Sequence, residues 1–279
     1  MSPRSEEFVI FAAIAILVSL FAWIYTRDRQ KITALWMLGW TAILVHFAAP
    51  AFDGFFPPLM RFTLWIKIAT LIVAGSCFLL SVSEAFLRRE RRIAFVIFIS
   101  AMAMLYVTAW QLHFRAPWFY ISLLLISTLY GVAQAVGFYS WKDPHLYALL
   151  LLLPYAGWAM QQALHSVLRH GLYFYLFGFF YVTALAYFRY FPRISPGVVL
   201  TSVSFMAWGS VFPLSAILAA HGAGPAPGSV FWDMPKFCVA FGMLLTLYED
   251  QAERASTVAG QYRVPVSYTH LTLPTKRIV

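Results

Sequence analysis

Histidine is the side chain here whose type could most readily do chemistry. An imidazole titrates near neutrality and binds metals or haem. Converging histidines could therefore sense pH, hold a cofactor or serve an intramembrane enzyme. His46, His113, His165, His170 and His221 each fall beside an end of an apolar block, while His145 falls in a basic loop and His270 in the carboxy-terminal tail. No two are four residues apart, the spacing that puts two ligands on one helix face; His165 and His170 are five apart. No cofactor is evident from spacing alone, and haem or metal at these residues requires that the fold gather them. Otherwise they suit the head-group zone, as Trp and Tyr do. Gln161 and Gln162, with His165, set polar groups on one side of a block end and could line a small-ligand pocket. Gln111 and Gln134 read as interhelical hydrogen-bonding groups.

Other reactive types point to packing and anchoring. Lys67 lies near the end of its block, where a long side chain reaches the interface. Glu84 stands four residues before Arg88, the spacing of a local helical pair. Cys77 and Cys238 both fall inside apolar blocks and read as small buried packing groups. The chain contains no P-loop, dinucleotide glycine pattern, zinc-type cysteine pair or nucleophile elbow. Catalytic residues are therefore not assigned.

The elements that must position these groups are helices in a bilayer. Of 279 residues, 61% are hydrophobic and 11% charged, whereas soluble domains carry about 25% charged residues. The apolar residues come in blocks near the ~20 needed for a helical crossing. They lack the period-two alternation of an outer-membrane barrel. The sequence predicts an all-α polytopic bundle of about nine spans, at 8–25, 34–49, 64–86, 93–112, 118–138, 146–164, 172–188, 198–219 and 231–248. Small residues such as Ala74, Gly75 and Ser76, and Gly131 with Ala133 and Ala135, would let helices approach closely.

The formal net charge of +9 is distributed over the loops rather than gathered into a nucleic-acid surface. One alternate set of loops holds the clusters Arg27–Arg29–Lys31 and Arg88–Arg89–Arg91–Arg92, with Lys142, Arg189, Arg193, Arg254 and Arg263. The other set holds Arg4, Arg61, Arg115, Arg169 and Lys236. The richer set should be cytoplasmic. That puts the amino terminus outside and the carboxy terminus inside, as an odd number of spans requires. Two acidic residues, Glu6 and Glu7, precede the first block, so it reads as a true span rather than a cleaved signal.

The last block runs without a breaker into Glu249-Asp-Gln-Ala-Glu-Arg-Ala255. Leu245, Tyr248, Ala252, Ala255, Ala259 and Tyr262 recur there at three-four spacing. This is a short seam of the kind that pairs two helices, and it predicts a signal-relay helix over 249–265 and a homodimer through it. The final stretch, Val266-Ser-Tyr-Thr-His-Leu-Thr-Leu-Pro-Thr275, resembles a translated sequencing-library adapter. Residues 266–279 are therefore set aside from the bundle of 1–248 and the relay helix. The natural chain is expected to run on beyond Arg263 or Val264.

Asp233-Met-Pro-Lys-Phe-Cys-Val-Ala-Phe-Gly-Met-Leu-Leu-Thr-Leu-Tyr-Glu-Asp-Gln251 resembles the last span of bacterial multi-span membrane sensors. In that family the Pro-Lys start, the Gly-Met-Leu-Leu-Thr-Leu core and the Glu-Asp-Gln exit precede a histidine kinase or a GGDEF diguanylate cyclase domain. The resemblance covers these nineteen residues and the many-span layout. It implies a sensory input module in a bacterial inner membrane, acting on a cytoplasmic output domain whose motifs are not present here. Two alternatives remain at this point. One is a small-solute transporter or channel, for which Pro154 and Pro213 offer weak helix breaks. The other is an intramembrane enzyme using the outer histidines.

Overall fold

The computed structural model describes residues 3–27, 29–52, 62–83, 89–191, 193–222 and 230–269. Among these, every regular element is helical: α1 (Pro3–Arg27), α2 (Lys31–Phe52), α3 (Thr63–Val82), α4 (Arg89–Gln111), α5 (Pro117–Phe138), α6 (Pro144–Leu150), α7 (Leu152–Leu164), α8 (Arg169–Tyr190), α9 (Pro196–Ala220) and α10 (Met234–Thr269). A short 3-10 turn, Val230–Trp232, precedes α10.

The helix starts are written in proline. Pro117, Pro144, Pro196 and Pro235 each occupy the first or second position of a helix. The missing N–H there has no intrahelical partner to lose. Prolines farther in do break the ladder. The sixth apolar block is two helices, because Pro154 cannot donate to the Leu150 carbonyl and its ring crowds that carbonyl. The chain turns at Leu151 between α6 and α7. Pro50 in α2 and Pro213 in α9 are tolerated inside continuous helices, where they release the His46 and Gly209 carbonyls in the same way.

Among the described residues, seven helices are long and apolar enough to cross a membrane: those spanning Phe8–Arg27, Lys31–Pro50, Thr63–Val82, Glu90–Gln111, Pro117–Gly137, Arg169–Tyr190 and Pro196–Leu218. The molecule is thus an all-helical, multi-pass bundle. The two blocks outside this group are the broken sixth and the ninth. The ninth forms the first part of α10, a 36-residue helix whose later residues are charged.

α3 and α8 form the centre. α3 packs against α2, α4 and α8, and α8 packs in turn against α7 and α9; α1 covers α2, α10 covers α9, and α5 rests on α4 and α7. The core is aromatic. Phe21 stacks on Trp40 at 6.1 Å, Trp40 on Trp208 at 6.4 Å and Trp208 on Phe180 at 4.1 Å. α1, α2, α9 and α8 are joined in this way. Trp36 extends the cluster by stacking on Tyr187 at 6.1 Å and donating from Nε1 to Ser81 Oγ at 2.9 Å.

Small residues set the closest helix approaches. A Cβ on Gly75 would meet the Phe179 Cβ at 3.1 Å, so this glycine does bring α3 onto α8. The tightest case is α9 against α10. A Cβ on Gly197 would meet the Thr246 amide nitrogen at 2.5 Å, and one on Gly242 the Thr201 amide nitrogen at 2.7 Å. Each helix carries a glycine four residues before a threonine, and the antiparallel pair sets each glycine against the other helix's threonine. The two hydroxyls are spent at home, Thr201 on Gly197 O and Thr246 on Gly242 O. This is small-xxx-small packing. Gly131, by contrast, has nothing within 4 Å of a built Cβ, so it does not serve a helix contact.

Candidate functional site

The strongest concentration of charge in the bundle interior is at the start of α10. Asp233 immediately precedes the helix, and its carboxylate pairs with the Lys236 ammonium three residues on. Lys236 is 7% exposed and Asp233 9%. The rest of the ammonium's surroundings are aromatic faces, with Phe47 of α2 at 5.1 Å and Trp208 of α9 at 5.8 Å from ring centroid to Nζ. A desolvated cation over such faces gains about 2 kcal/mol or more. Trp208 is near the middle of α9 and stacks on Trp40, so Lys236 reaches well into the bundle. Lys236 was expected among the loop charges. It is instead a buried helix residue, because Asp233 supplies the counter-charge that its burial demands.

His46 adjoins this pair. It is buried, edge-on to the Phe47 ring at 5.1 Å, and its Nδ1 lies 2.9 Å from the Lys67 carbonyl oxygen. A carbonyl can only accept, so Nδ1 carries the proton and Nε2 is the free position in the neutral ring. Lys67, half-buried on α3, is near enough to act electrostatically on both His46 and Lys236. Among the described residues, the cluster thus holds two ammonium groups, an imidazole and one carboxylate; Asp53 lies outside the described residues. Four helices, α2, α3, α9 and α10, contribute to the cluster. It has no nucleophile held by a base. What it can do is exchange a buried counter-ion or respond to an anion.

The other histidines do not join it. His170 stacks on Trp158 at 4.7 Å and lies 3.3 Å from Gln162 Oε1, with Tyr173 at 6.3 Å. This pairs one expected histidine with one expected glutamine across α7 and α8. Gln161 and His165 are exposed at the end of α7, with His165 as its C-cap. His113 is exposed in the α4–α5 turn at φ 58°. His221 is exposed after α9, and its Nδ1 donates to the Ile217 carbonyl at 2.8 Å. Among the described residues no three His, Cys, Asp or Glu side chains come together as a metal site would need.

Near the middle of α10 stands a second polar junction. The Glu249 carboxylate accepts from the Gly197 amide at 3.2 Å and from the Ser195 hydroxyl. A carboxylate at a helix start meets the unpaired N–H groups and the positive end of the dipole. Arg193 pairs with Glu253, and Arg254 with Asp250 at 2.6 Å. Leu245 is half-buried, whereas Tyr248, Ala252, Ala255 and Ala259 are exposed along the emerging helix. The side chain of Tyr262 lies outside the described residues.

A third group ties α6 to α8. Asp143 caps α6, accepting from the His145 amide at 2.9 Å, approaching its ring Nδ1 at 2.8 Å and pairing with Arg189 at 2.9 Å. Burial pushes the Asp143 carboxyl upward, but Arg189 and His145 outweigh it and hold the carboxyl down at about 2. Arg189 also lies over the Tyr139 ring at 5.0 Å.

Comparison with known proteins returns no matching family model, no matching curated protein and no matching solved structure. Sequence reading singled out His46 as a candidate, took Lys67 for an interfacial anchor and missed Asp233 and Lys236 as a site. The available signal was an Asp three residues before a Lys at the head of an apolar block.

Proposed function

We propose that this chain is the membrane-embedded input module of a bacterial signalling receptor. Nine crossings would put the amino terminus outside the cytoplasmic membrane and the carboxy terminus in the cytoplasm. In this reading α6 and α7 together form the sixth crossing and the first part of α10 the ninth. The observation that carries the reading is the continuity of α10. One unbroken helix begins at the buried Asp233–Lys236 pair, holds the start of α9 through Glu249, and emerges with an exposed small-residue stripe. A stimulus that alters the His46–Lys67–Lys236 cluster on the outer half would shift α10. The shift would pass through Leu245, Tyr248, Ala252, Ala255, Ala259 and Tyr262 into a homodimeric output domain of the histidine kinase or diguanylate cyclase kind. No resident cofactor is invoked.

The gene sequence downstream of the Arg263 codon tests this directly. An open reading frame continuing past Arg263 into a signalling domain is expected, with output changed by Lys236→Met. A stop codon soon after Arg263 overturns the reading.

The α6–α7 break favours a transporter as the second reading, since interrupted helices line many solute paths. Solute uptake into liposomes that depends on Gln134 or Gln161 would support it over the receptor.

A further inference from the structure

Beside the α6–α7 break the bundle contains a cavity of about 110 Å³. It is walled by Phe95 and Ile99 of α4, Leu149 and Leu150 of α6, and Phe174 and Phe179 of α8. Two glycines hold it open. Gly131 on α5 and Gly178 on α8 both line it, and neither has an atom within 4 Å of a built Cβ. No charged side chain among the described residues lines it. A cavity of about 150 Å³ lined by Leu, Ile and Phe stays dry and takes up benzene or xenon. A slightly smaller one of the same lining selects a compact apolar body.

The wall is not wholly apolar. Ser127 and Tyr175 face each other at 2.8 Å, and the Tyr175 hydroxyl donates to the Leu123 carbonyl at 3.1 Å. With the phenolic proton so used, Ser127 donates to Tyr175, and lone pairs on both oxygens remain to accept. Gln134, half-buried one turn from the end of α5, also lines the cavity. No hydrogen bond joins its amide to another described residue. This half-buried amide is therefore available to a ligand's polar group.

We propose that this cavity binds a small neutral amphiphile, with a ring-sized apolar body between Gly131 and Gly178 and one hydroxyl read by Gln134 and the Ser127–Tyr175 pair. The site stands apart from the Lys236 cluster and does not rest on the receptor reading.

Fluorine NMR of 4-fluorobenzyl alcohol with the full chain in detergent micelles tests it. Micelle partitioning gives a signal that grows linearly with concentration. The cavity should add a saturable component of about one equivalent, displaced by unlabelled benzyl alcohol. Gly178→Leu and Gly131→Leu fill the space from opposite walls, and each should weaken that component at least tenfold. Gln134→Leu should weaken fluorobenzyl alcohol several-fold and leave fluorobenzene unaffected. Linear partitioning alone overturns the proposal, as does a saturable component that persists in both filled variants.

Discussion

Lys236 and Asp233 illustrate how one residue's burial depends on another's. Taking two ions out of water costs several kcal/mol each, offset by their attraction and by the aromatic faces around the ammonium. Removing one partner leaves the other charge stranded. Asp233→Asn or Lys236→Met alone should therefore destabilise the protein by about 3–5 kcal/mol, read as a lower unfolding midpoint in detergent. The double variant should recover most of that loss, because no uncompensated charge remains. A double variant as unstable as the singles would show that the pair is not the unit of stability. Asp143 answers to pH instead. Its carboxyl is depressed to about 2 by Arg189 and His145, against an unfolded value of about 3.9. A depressed acid stabilises the fold above its unfolded pKa and loses that contribution as pH falls through the folded one. Tethering of α6 to α8 should weaken between about pH 4 and pH 2. Asp143→Asn should remove that component from the acid-unfolding curve without moving the rest.

At the scale of elements, the α9–α10 contact should be the least tolerant of added volume. In an exposed helix Gly→Ala gains about 1 kcal/mol. At Gly242 and Gly197 the new methyl would overlap the opposing threonine backbone. Overpacking of this kind costs about 1–3 kcal/mol, so both variants should melt earlier despite their better helix propensity. Gly157→Ala, with nothing within 4 Å of its Cβ, should be neutral or stabilising by the same measurement. The α6–α7 break has one local cause, and Pro154→Ala should let the ladder close across Leu151. Slower amide exchange at 151–154 would register that closure, and unchanged exchange would place the cause elsewhere.

Across the whole molecule, the bundle was legible because membrane helices advertise themselves: blocks of about twenty apolar residues have few other stable forms. Gly75 could be read as a packing residue for the same reason. The break at Leu151 was half legible, since Pro154 was visible but a proline alone does not say whether its helix bends or stops. The Lys236 cluster was not legible. Its aromatic walls come from Phe47 and Trp208, far away in sequence, and a lysine just past a loop looks like a loop charge. Whether the histidines converge was not legible either. Shared position at block ends put them in one layer, but packing separated His46 from His170 and left His113, His165 and His221 exposed. The proposed nine-crossing topology predicts a phosphatase fusion at residue 263 that is inactive and a cytoplasmic reporter there that is active. The opposite pattern would invert the bundle and place the Lys236 cluster at the cytoplasmic face.

In the proposed receptor, the glycine–threonine contact would also make α10 a lever. Thr246 lies ten residues beyond Lys236 and seventeen before Arg263. At a rise of about 1.5 Å per residue these arms are roughly 15 Å and 26 Å long. Pivoting there, the helix would magnify a displacement of about 1 Å at the buried ammonium to nearly 2 Å at the far tip, in the opposite direction. A fulcrum works only while it stays tight. Widening it with Gly242→Ala should therefore uncouple the two ends, and spin-label distances measured across the emerging helices of the proposed dimer should cease to follow changes at Lys236.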